Sequence, residues 1–214
     1  MKLIFLGPPG AGKGTVSKYV TSKYMLVQIS TGDIFREAVK NNTDLGKKVK
    51  SIIEIGGLVP DELTIALIKE RLAKGDLQNG FILDGFPRTL QQAKELERFE
   101  KIDAVINFDI PDQQVLIKRL SGRLTCRQCN TIYNSETNPP QHENVCDKCS
   151  GALYTRKDDE LTSITKRIEI YREQTAPLVA YFENKKLLKK IDASRAENDV
   201  IEEVTEMLDA IADQ

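Results

Sequence analysis

The stretch Gly7-Pro8-Pro9-Gly10-Ala11-Gly12-Lys13-Gly14-Thr15 constrains this chain more than any other. A short apolar run, Leu3 to Leu6, precedes it, and an amphipathic segment, Val16 to Tyr24, follows. A glycine, four residues, then Gly-Lys between a strand and a helix is the arrangement of a phosphate-binding loop. Glycines keep side chains away, so backbone N–H groups can curl into a nest for anionic oxygens. The helix adds its free N–H groups and the positive end of its dipole. Lys13 supplies a point charge suited to β- and γ-phosphates. The pattern departs in one place: Gly14 stands where a Ser or Thr usually follows the lysine, and Thr15 comes one position later. A direct contact from that hydroxyl to magnesium is therefore in doubt.

The rest of the chain alternates strand and helix patterns. Apolar runs predict strands at 2–6, 26–29, 81–84, 104–110 and 187–192, and helical spacing predicts segments between them. Continuous apolar runs suit strands buried on both faces. The expected fold is therefore α/β, a three-layer phosphate-loop fold with a five-stranded parallel sheet and helices on both sides. Pro60-Asp61-Glu62 reads as a helix start, Thr89 as a cap, and Pro177 as a break or restart. On the first helix Val16, Tyr19 and Val20 are expected on the packed face. On the helix after Pro60 the expected stripe is Leu63, Ala66, Leu67 and Leu72. Two stretches break the alternation. Residues 30–59 are sparse in apolar residues and punctuated by Gly46, Gly56 and Gly57, which suggests a small helical insertion. Residues 122–159 carry all four cysteines and little apolar content. The expected organisation is core over 1–29, 60–121 and 160–214, with insertions at 30–59 and 122–159.

Cys126-x2-Cys129 and Cys146-x2-Cys149 have the spacing of a zinc ribbon. Four thiolates would close a tetrahedral shell, so the expected role is structural. The segment is too short to bury a core of its own. His142, the only histidine, is expected in an exposed loop. Zinc ribbons often bind nucleic acid, but Arg123, Arg127, Lys148, Arg156 and Lys157 are offset by Glu136, Glu143, Asp147, Asp158 and Asp159. That balance, with 31 basic against 32 acidic residues overall, leaves no electrostatic footprint for nucleic acid or a membrane surface. The apolar run before Gly7 is too short for a signal sequence, and the expectation is a cytoplasmic chain.

Asp84 ends an apolar strand, on the edge of the sheet where ligands of such folds bind. It can hold Mg²⁺, directly or through water, or cap the next turn; with the phosphate loop present magnesium is favoured. Arg36, Arg88, Arg119, Arg123, Arg156 and Arg167 lie at element ends or in the insertions. Each alone reads equally well as a surface charge. Together they suit a reaction that gathers several phosphates, because the guanidinium fork matches phosphate oxygens.

Over essentially its full length the chain resembles adenylate kinases. The residues that carry the likeness are Gly7 to Thr15, Ser30 to Arg36, Asp84 to Thr89, Gln92, Gly122-Arg123, Tyr154 to Asp159, and Thr175-Ala176-Pro177-Leu178. The Gly14-Thr15 ending, odd for phosphate loops in general, is what this family has. The resemblance implies reversible, Mg-dependent phosphoryl transfer from ATP to AMP, giving two ADP, with an AMP-binding flap (30–59) and a zinc-bearing lid (122–159). It implies that Gly10, Ala11, Gly12, Lys13, Gly14 and Thr15 cradle the ATP phosphates, and that Arg119, Ile132, Tyr133 and the loop at Arg195 contact ATP. It assigns AMP to Thr31, Arg36, Gly57, Leu58, Val59, Gly85, Phe86, Pro87, Arg88 and Gln92. Arg123, Arg156 and Arg167 would close over the transferring group, the last two also touching AMP. With Lys13, Arg88 and Asp84 they form the expected catalytic set. Ala193 stands where many members have Gly, which leaves donor-base selectivity open. A monomer is expected.

Other readings are a UMP/CMP kinase, a GTP-using AMP kinase, a switch GTPase, or a zinc-ribbon nucleic-acid binder. Ser30-Thr31-Gly32 with Gln92 favours AMP, and no Asn-Lys-x-Asp run is present for guanine.

Overall fold

The computed structural model describes residues 1–212 of the chain. Its centre is a parallel sheet of β1 (Lys2–Leu6), β2 (Val27–Ser30), β3 (Phe81–Asp84), β4 (Ala104–Asp109) and β8 (Leu188–Asp192), ordered β2-β3-β1-β4-β8. β1 pairs with β3 on one side and β4 on the other, with Phe5 level with Asp84 and Ile106. The strand order reverses about β1, so the crevice beyond its carboxyl end is where this topology admits a ligand.

The unbroken apolar run of β1 now has a reason. Leu3 and Phe5 point into one core, with Val16, Val20, Phe108 and Leu208. Ile4 and Leu6 point into the other, with Ile68, Phe86, Leu178 and Phe182. Successive side chains of a strand face opposite ways, so a sheet covered on both faces needs every position apolar. The Phe5 and Phe108 rings meet at 5.0 Å in a tilted pair, which locks two central strands together.

The helices on these faces are α1 (Lys13–Tyr24), α4 (Asp61–Leu72), α5 (Leu90–Phe99), α6 (Gln113–Ser121), α7 (Leu161–Ile170), α8 (Pro177–Asn184) and α9 (Glu197–Ala212). Thr89 caps α5 by accepting from Gln92 N–H at 3.1 Å, and Asp112 caps α6 by accepting from Gln114 N–H at 2.8 Å. A π-helical turn, Tyr171–Thr175, separates α7 from α8, which begins at Pro177. Two stripes differ from the sequence reading. Tyr19 is 47% exposed, and α1 packs with Val16, Ser17 and Val20. With Ser17 fully buried between Val16 and Val20, the packed face centres on these three, and at about 100° per residue Tyr19 falls outside it. On α4 the buried residues are Thr64, Ile65 and Ile68, while Leu63 is exposed and Ala66 also faces outward. The helix is apolar on two flanks, and Ile65 and Ile68 face the sheet while Leu67 turns to a separate small core.

That small core, Phe35, Val49 and Val59, belongs to residues 30–59. They form α2 (Thr31–Lys40) and α3 (Asp44–Glu54), capped by Ser30 and Thr43. Gly46 does not break a helix, as punctuation would suggest. It sits inside α3, where an added Cβ would lie 2.1 Å from the Ala38 carbonyl oxygen, so it permits the two helices to touch. Residues 122–159 form a three-stranded antiparallel sheet, ordered β6 (Ile132–Asn134), β5 (Arg123–Cys126), β7 (Leu153–Tyr154).

Met25 ends α1 in the left-handed region at φ 54°, with its N–H on the Thr21 carbonyl and its side chain 71% exposed. Glycine takes this conformation without the Cβ clash. Met25→Gly should stabilise the chain by roughly 0.5–1 kcal/mol, the released strain less the added chain entropy. Urea unfolding of the two proteins checks this.

Candidate active site

One cleft of about 740 Å³ opens beyond the carboxyl ends of β1 and β3. Gly10 (φ 87°) and Gly12 (φ 83°) place the loop backbone in the left-handed region, turning N–H groups toward the cleft floor. Ala11, Gly14 and Thr15 line the floor with them. Lys13 folds back over the loop, its Nζ donating to the Gly7 and Pro8 carbonyls at 2.8 Å each. Burial lowers its pKa to about 8; Asp84 opposes that shift, and Arg88, Arg167 and Arg123 add to it. Burial pushes the Asp84 carboxyl above the usual carboxylate range, against the pull of Lys13. Gln28 donates to Asp84 Oδ2 at 3.2 Å. Asp84 lines the cleft beside Gly14, where an added Cβ would only just touch that oxygen, at 4.0 Å.

Arginines from four separate regions converge on this floor. Arg88 is half-buried; its Nε donates to the Gly85 carbonyl at 2.8 Å, and its own carbonyl accepts from Thr175 Oγ1 at 2.8 Å. Burial lowers its pKa to about 10, with Arg167 next. Arg156, 7% exposed, donates to Thr125 Oγ1 at 3.0 Å, and burial, Arg36 and Arg123 lower it to about 10. Arg167 donates to the Asp158 carbonyl at 2.7 Å and Asp159 Oδ1 at 2.9 Å, and Arg123 forks onto the same Asp159 carboxylate. Burial lowers Arg167 as well. Arg36 differs: burial works against its charge, but Asp33 at 2.5 Å leaves its pKa raised. Asp158 is held below the usual range: burial alone would raise it, but Arg167, Arg36, Arg123 and Arg156 outweigh that. Cations this close depress one another's proton affinity, and only fixed carboxylates or an incoming anion relieve the crowding.

A smaller pocket of about 70 Å³ adjoins the cleft. Thr31, Gly57, Val59 and Gln92 line it, and it shares Arg36, Leu58, Gly85, Arg88 and Arg167 with the main cleft. Pro87, Arg119, Ile132, Tyr133 and Arg195 line the main cleft. Arg119 donates to the carbonyls of Ala193 (2.9 Å) and Ser194 (3.4 Å), and Arg195 pairs with Glu203. Ala193 is buried and takes no left-handed conformation, so this position does not demand glycine. Tyr133 turns mostly inward: it is 6% exposed, and its hydroxyl accepts from Asp147 N–H at 2.9 Å. Phe86 is the exception among the expected residues. It lines neither pocket and is packed in the core beside Ile68 and Leu178. Its apolar ring is drawn into the sheet's second face.

Sequence reasoning missed the acids. Asp158 and Asp159 carry no assigned role in the sequence reading beyond charge balance and family likeness, yet they hold Arg123 and Arg167. Asp33 stands three residues before Arg36 on α2, a spacing that could have suggested the pair. Gln28 and Thr175 gave no local signal.

The four cysteine sulfurs all lie within 4.8 Å of one another. Cys126 and Cys149 are 3.4 Å apart, Cys129 and Cys149 3.3 Å, and Cys129 and Cys146 3.6 Å. A tetrahedron with metal–sulfur bonds of about 2.3 Å has sulfur–sulfur edges near ~3.8 Å, so the donor set fits such an ion. The two Cys-x2-Cys turns repeat one geometry. Cys126 donates to the Thr131 carbonyl and accepts from Asn130, while Cys146 donates to Gly151 and accepts from Ser150. Asn130 and Ser150 share a left-handed φ of 56–57°. His142 is exposed and lies outside the cluster.

Comparison with known sequences gives a consistent result. Residues 5–187 match the family described as adenylate kinase. An adenylate kinase of Treponema denticola is 56% identical over 201 residues, 94% of this chain and 96% of that protein. One from Archaeoglobus fulgidus is 48% identical over 216 residues, 99% of each chain. One from Clostridium tetani is 45% identical over 216 residues, 99% of this chain and 100% of the other.

Cys129→Ser removes a sulfur that touches both Cys146 and Cys149. It should lower the melting temperature by several degrees and cut bound metal, while cleft chemistry survives in the cold. Thermal melts with elemental analysis check this.

Proposed function

The chain belongs to the adenylate kinase family, and from that premise we propose how its residues share the work. It is a nucleoside monophosphate kinase that converts ATP and AMP reversibly into two ADP. In our reading Gly10 to Thr15 cradle the ATP phosphates, with Lys13 as their charge. Arg119, Ile132, Tyr133 and the backbone around Arg195 hold the rest of ATP. AMP occupies the small pocket, its base among Thr31, Gly57, Leu58, Val59 and Gln92, with Gly85 in its wall, Pro87 on the adjoining cleft, and Phe86 anchoring that turn from the core behind it. Arg36 and Arg88 take its phosphate. The observation that carries this reading is the junction of the two pockets, where Arg36, Arg88 and Arg167 line both.

The chemistry asks the protein for position and charge. The AMP phosphate oxygen is itself the nucleophile, so no side chain need accept a proton. Arg88, Arg123, Arg156 and Arg167 surround the group in flight and offset its charge. Asp158 and Asp159 keep those guanidiniums aimed before substrate arrives. Mg²⁺ accompanies ATP in this family and neutralises phosphate charge; the cleft-lining carboxylate of Asp84 fits it, since Mg²⁺ takes one or two carboxylates, waters and phosphates. The insertion 30–59 serves as the AMP flap and 122–159 as a lid that excludes water. Lys40 Nζ already donates to the Arg127 carbonyl across them, at 3.3 Å. The core is 1–29, 60–121 and 160–214.

We assign zinc to the four cysteines, as a structural ion that fixes the lid's small core. Reduced, metal-bound cysteines suit a cytoplasmic chain. We assign a monomer, since residues of one chain line both pockets. The balanced charge of the lid fits no nucleic-acid or membrane partner; no helix among the described residues is long and apolar enough to cross a membrane.

A coupled assay with AMP, UMP and CMP as acceptors tests the substrate assignment. AMP should be fastest, and faster turnover of UMP overturns it. In the same assay Arg88→Ala should lose roughly 10²–10³-fold in kcat with its fold intact.

Lys13 sets a pH limit on the donor. Below about 8 it is charged and attracts phosphate; above that the nucleotide-free form loses the proton, and KM for ATP should climb from pH 8 to 9.5. Stability without nucleotide should move oppositely. Between about 8 and the ordinary lysine value of 10.5 the unfolded chain holds a proton the folded one has lost, so this residue's contribution to stability rises with pH. ATP KM and urea midpoints across that range check both signs.

A further inference from the structure

Asp61 opens α4, two residues after Val59 of the small pocket. Its carboxylate holds the loop that follows β3. Thr89 Oγ1 donates to Oδ2 at 2.8 Å, and Gln92 Nε2 donates to Oδ1 at 2.7 Å. The other end of the Gln92 amide is also engaged, because Arg88 N–H donates to its Oε1 at 2.7 Å. Gln92 is 1% exposed and lines the small pocket.

These contacts remove the freedom a glutamine amide usually keeps. Its donor and acceptor ends exchange places on a half turn. An ionised carboxylate only accepts and a backbone N–H only donates, so Asp61 and Arg88 together forbid the exchanged state. It would leave two buried mismatches. The Thr89 hydroxyl holds the carboxylate itself in place. One N–H on Nε2 and one lone pair on Oε1 remain free. A carboxamide can pair with either kind of purine edge. It meets a 6-aminopurine by accepting from the amino group and donating to N1, and a 6-oxopurine by the reverse pairing, with its ends exchanged. The locked orientation therefore chooses between them.

We propose that Asp61 is a specificity-determining positioning residue, which holds the Gln92 amide one way round and so makes the acceptor pocket select a 6-aminopurine monophosphate over a 6-oxopurine one. The inference rests on reading the small pocket as the AMP site.

The test compares AMP and IMP as acceptors for the wild type, Asp61→Asn, Gln92→Leu and the double variant. Asparagine at 61 can accept from or donate to the Gln92 amide, so the exchanged state then carries one mismatch, at Arg88 N–H, instead of two. Asp61→Asn should lower the AMP:IMP ratio of kcat/KM by about fivefold or more, through KM rather than kcat. The effect should vanish in the Gln92→Leu background, because Asp61 acts through Gln92. A smaller change, a kcat loss shared by both acceptors, or a change that persists without Gln92 overturns the inference. Wild type without preference for AMP overturns the pocket assignment first, and the inference with it. Asp61→Ser gives the same comparison if the asparagine variant fails to fold.

Discussion

Six of the cations that line the cleft, Lys13, Arg36, Arg88, Arg123, Arg156 and Arg167, crowd its floor, and much of the molecule keeps them there. Withdrawing charge from water is expensive, and gathering like charge adds to it. Three of these residues have pKa values driven down far enough to show it, Lys13 to about 8 and Arg88 and Arg156 to about 10. The fold answers with carboxylates placed by separate elements: Asp33 from α2, Asp84 from the end of β3, Asp158 and Asp159 from the turn before α7. Asp33 pairs with Arg36, and Asp158 and Asp159 pair with Arg167, Arg123 also meeting Asp159, which leaves four carboxylates against six cations. The remaining imbalance is a standing attraction for polyanions of the right shape. Binding and fold stability are therefore coupled through one electrostatic deficit.

The same deficit explains what the sequence made legible. Residues that meet phosphate must be of particular types at particular spacings, so the loop at Gly7 to Thr15 and the acid ending β3 stood out. The paired Cys-x2-Cys motifs were equally plain, because metal geometry fixes the distance between donors. Counter-ions and struts obey no such local rule. Thr175 meets Arg88 across 87 residues, and Asp61 meets Gln92 across 31. Only the folded chain brings these partners together. Helix faces failed for another reason. Val16 and Tyr19, or Leu63 and Leu67, satisfy helical spacing as well as the true stripes do, and the choice is made by what each helix packs against. Phe86 shows the same limit: a site-like sequence neighbourhood, with a side chain taken by the core.

Rigidity is distributed unevenly. The central sheet has two extensive cores, whereas the cysteine segment has only Cys126, Tyr133, Cys146 and Leu153 buried together, with Leu124, Cys129 and Cys149 packed beside them. So little apolar area cannot hold a fold alone. Tyr133 belongs to that small core and also lines the cleft, its hydroxyl 3.5 Å from Cys146 Sγ. Whatever orders the sulfurs therefore also orders a wall of the cleft.

β5 begins at Arg123 and β7 ends at Tyr154, and the two strands are hydrogen-bonded neighbours, Thr125 opposite Tyr154. The chain thus leaves the main body and returns to it at nearly one point. A cassette with adjoining ends can be shortened, lengthened or exchanged between relatives without changing the register of any strand in the central sheet. The register of the sheet is thus insulated from changes in this segment, while the cleft, which borrows Arg123, Tyr133 and Arg156 from it, is not.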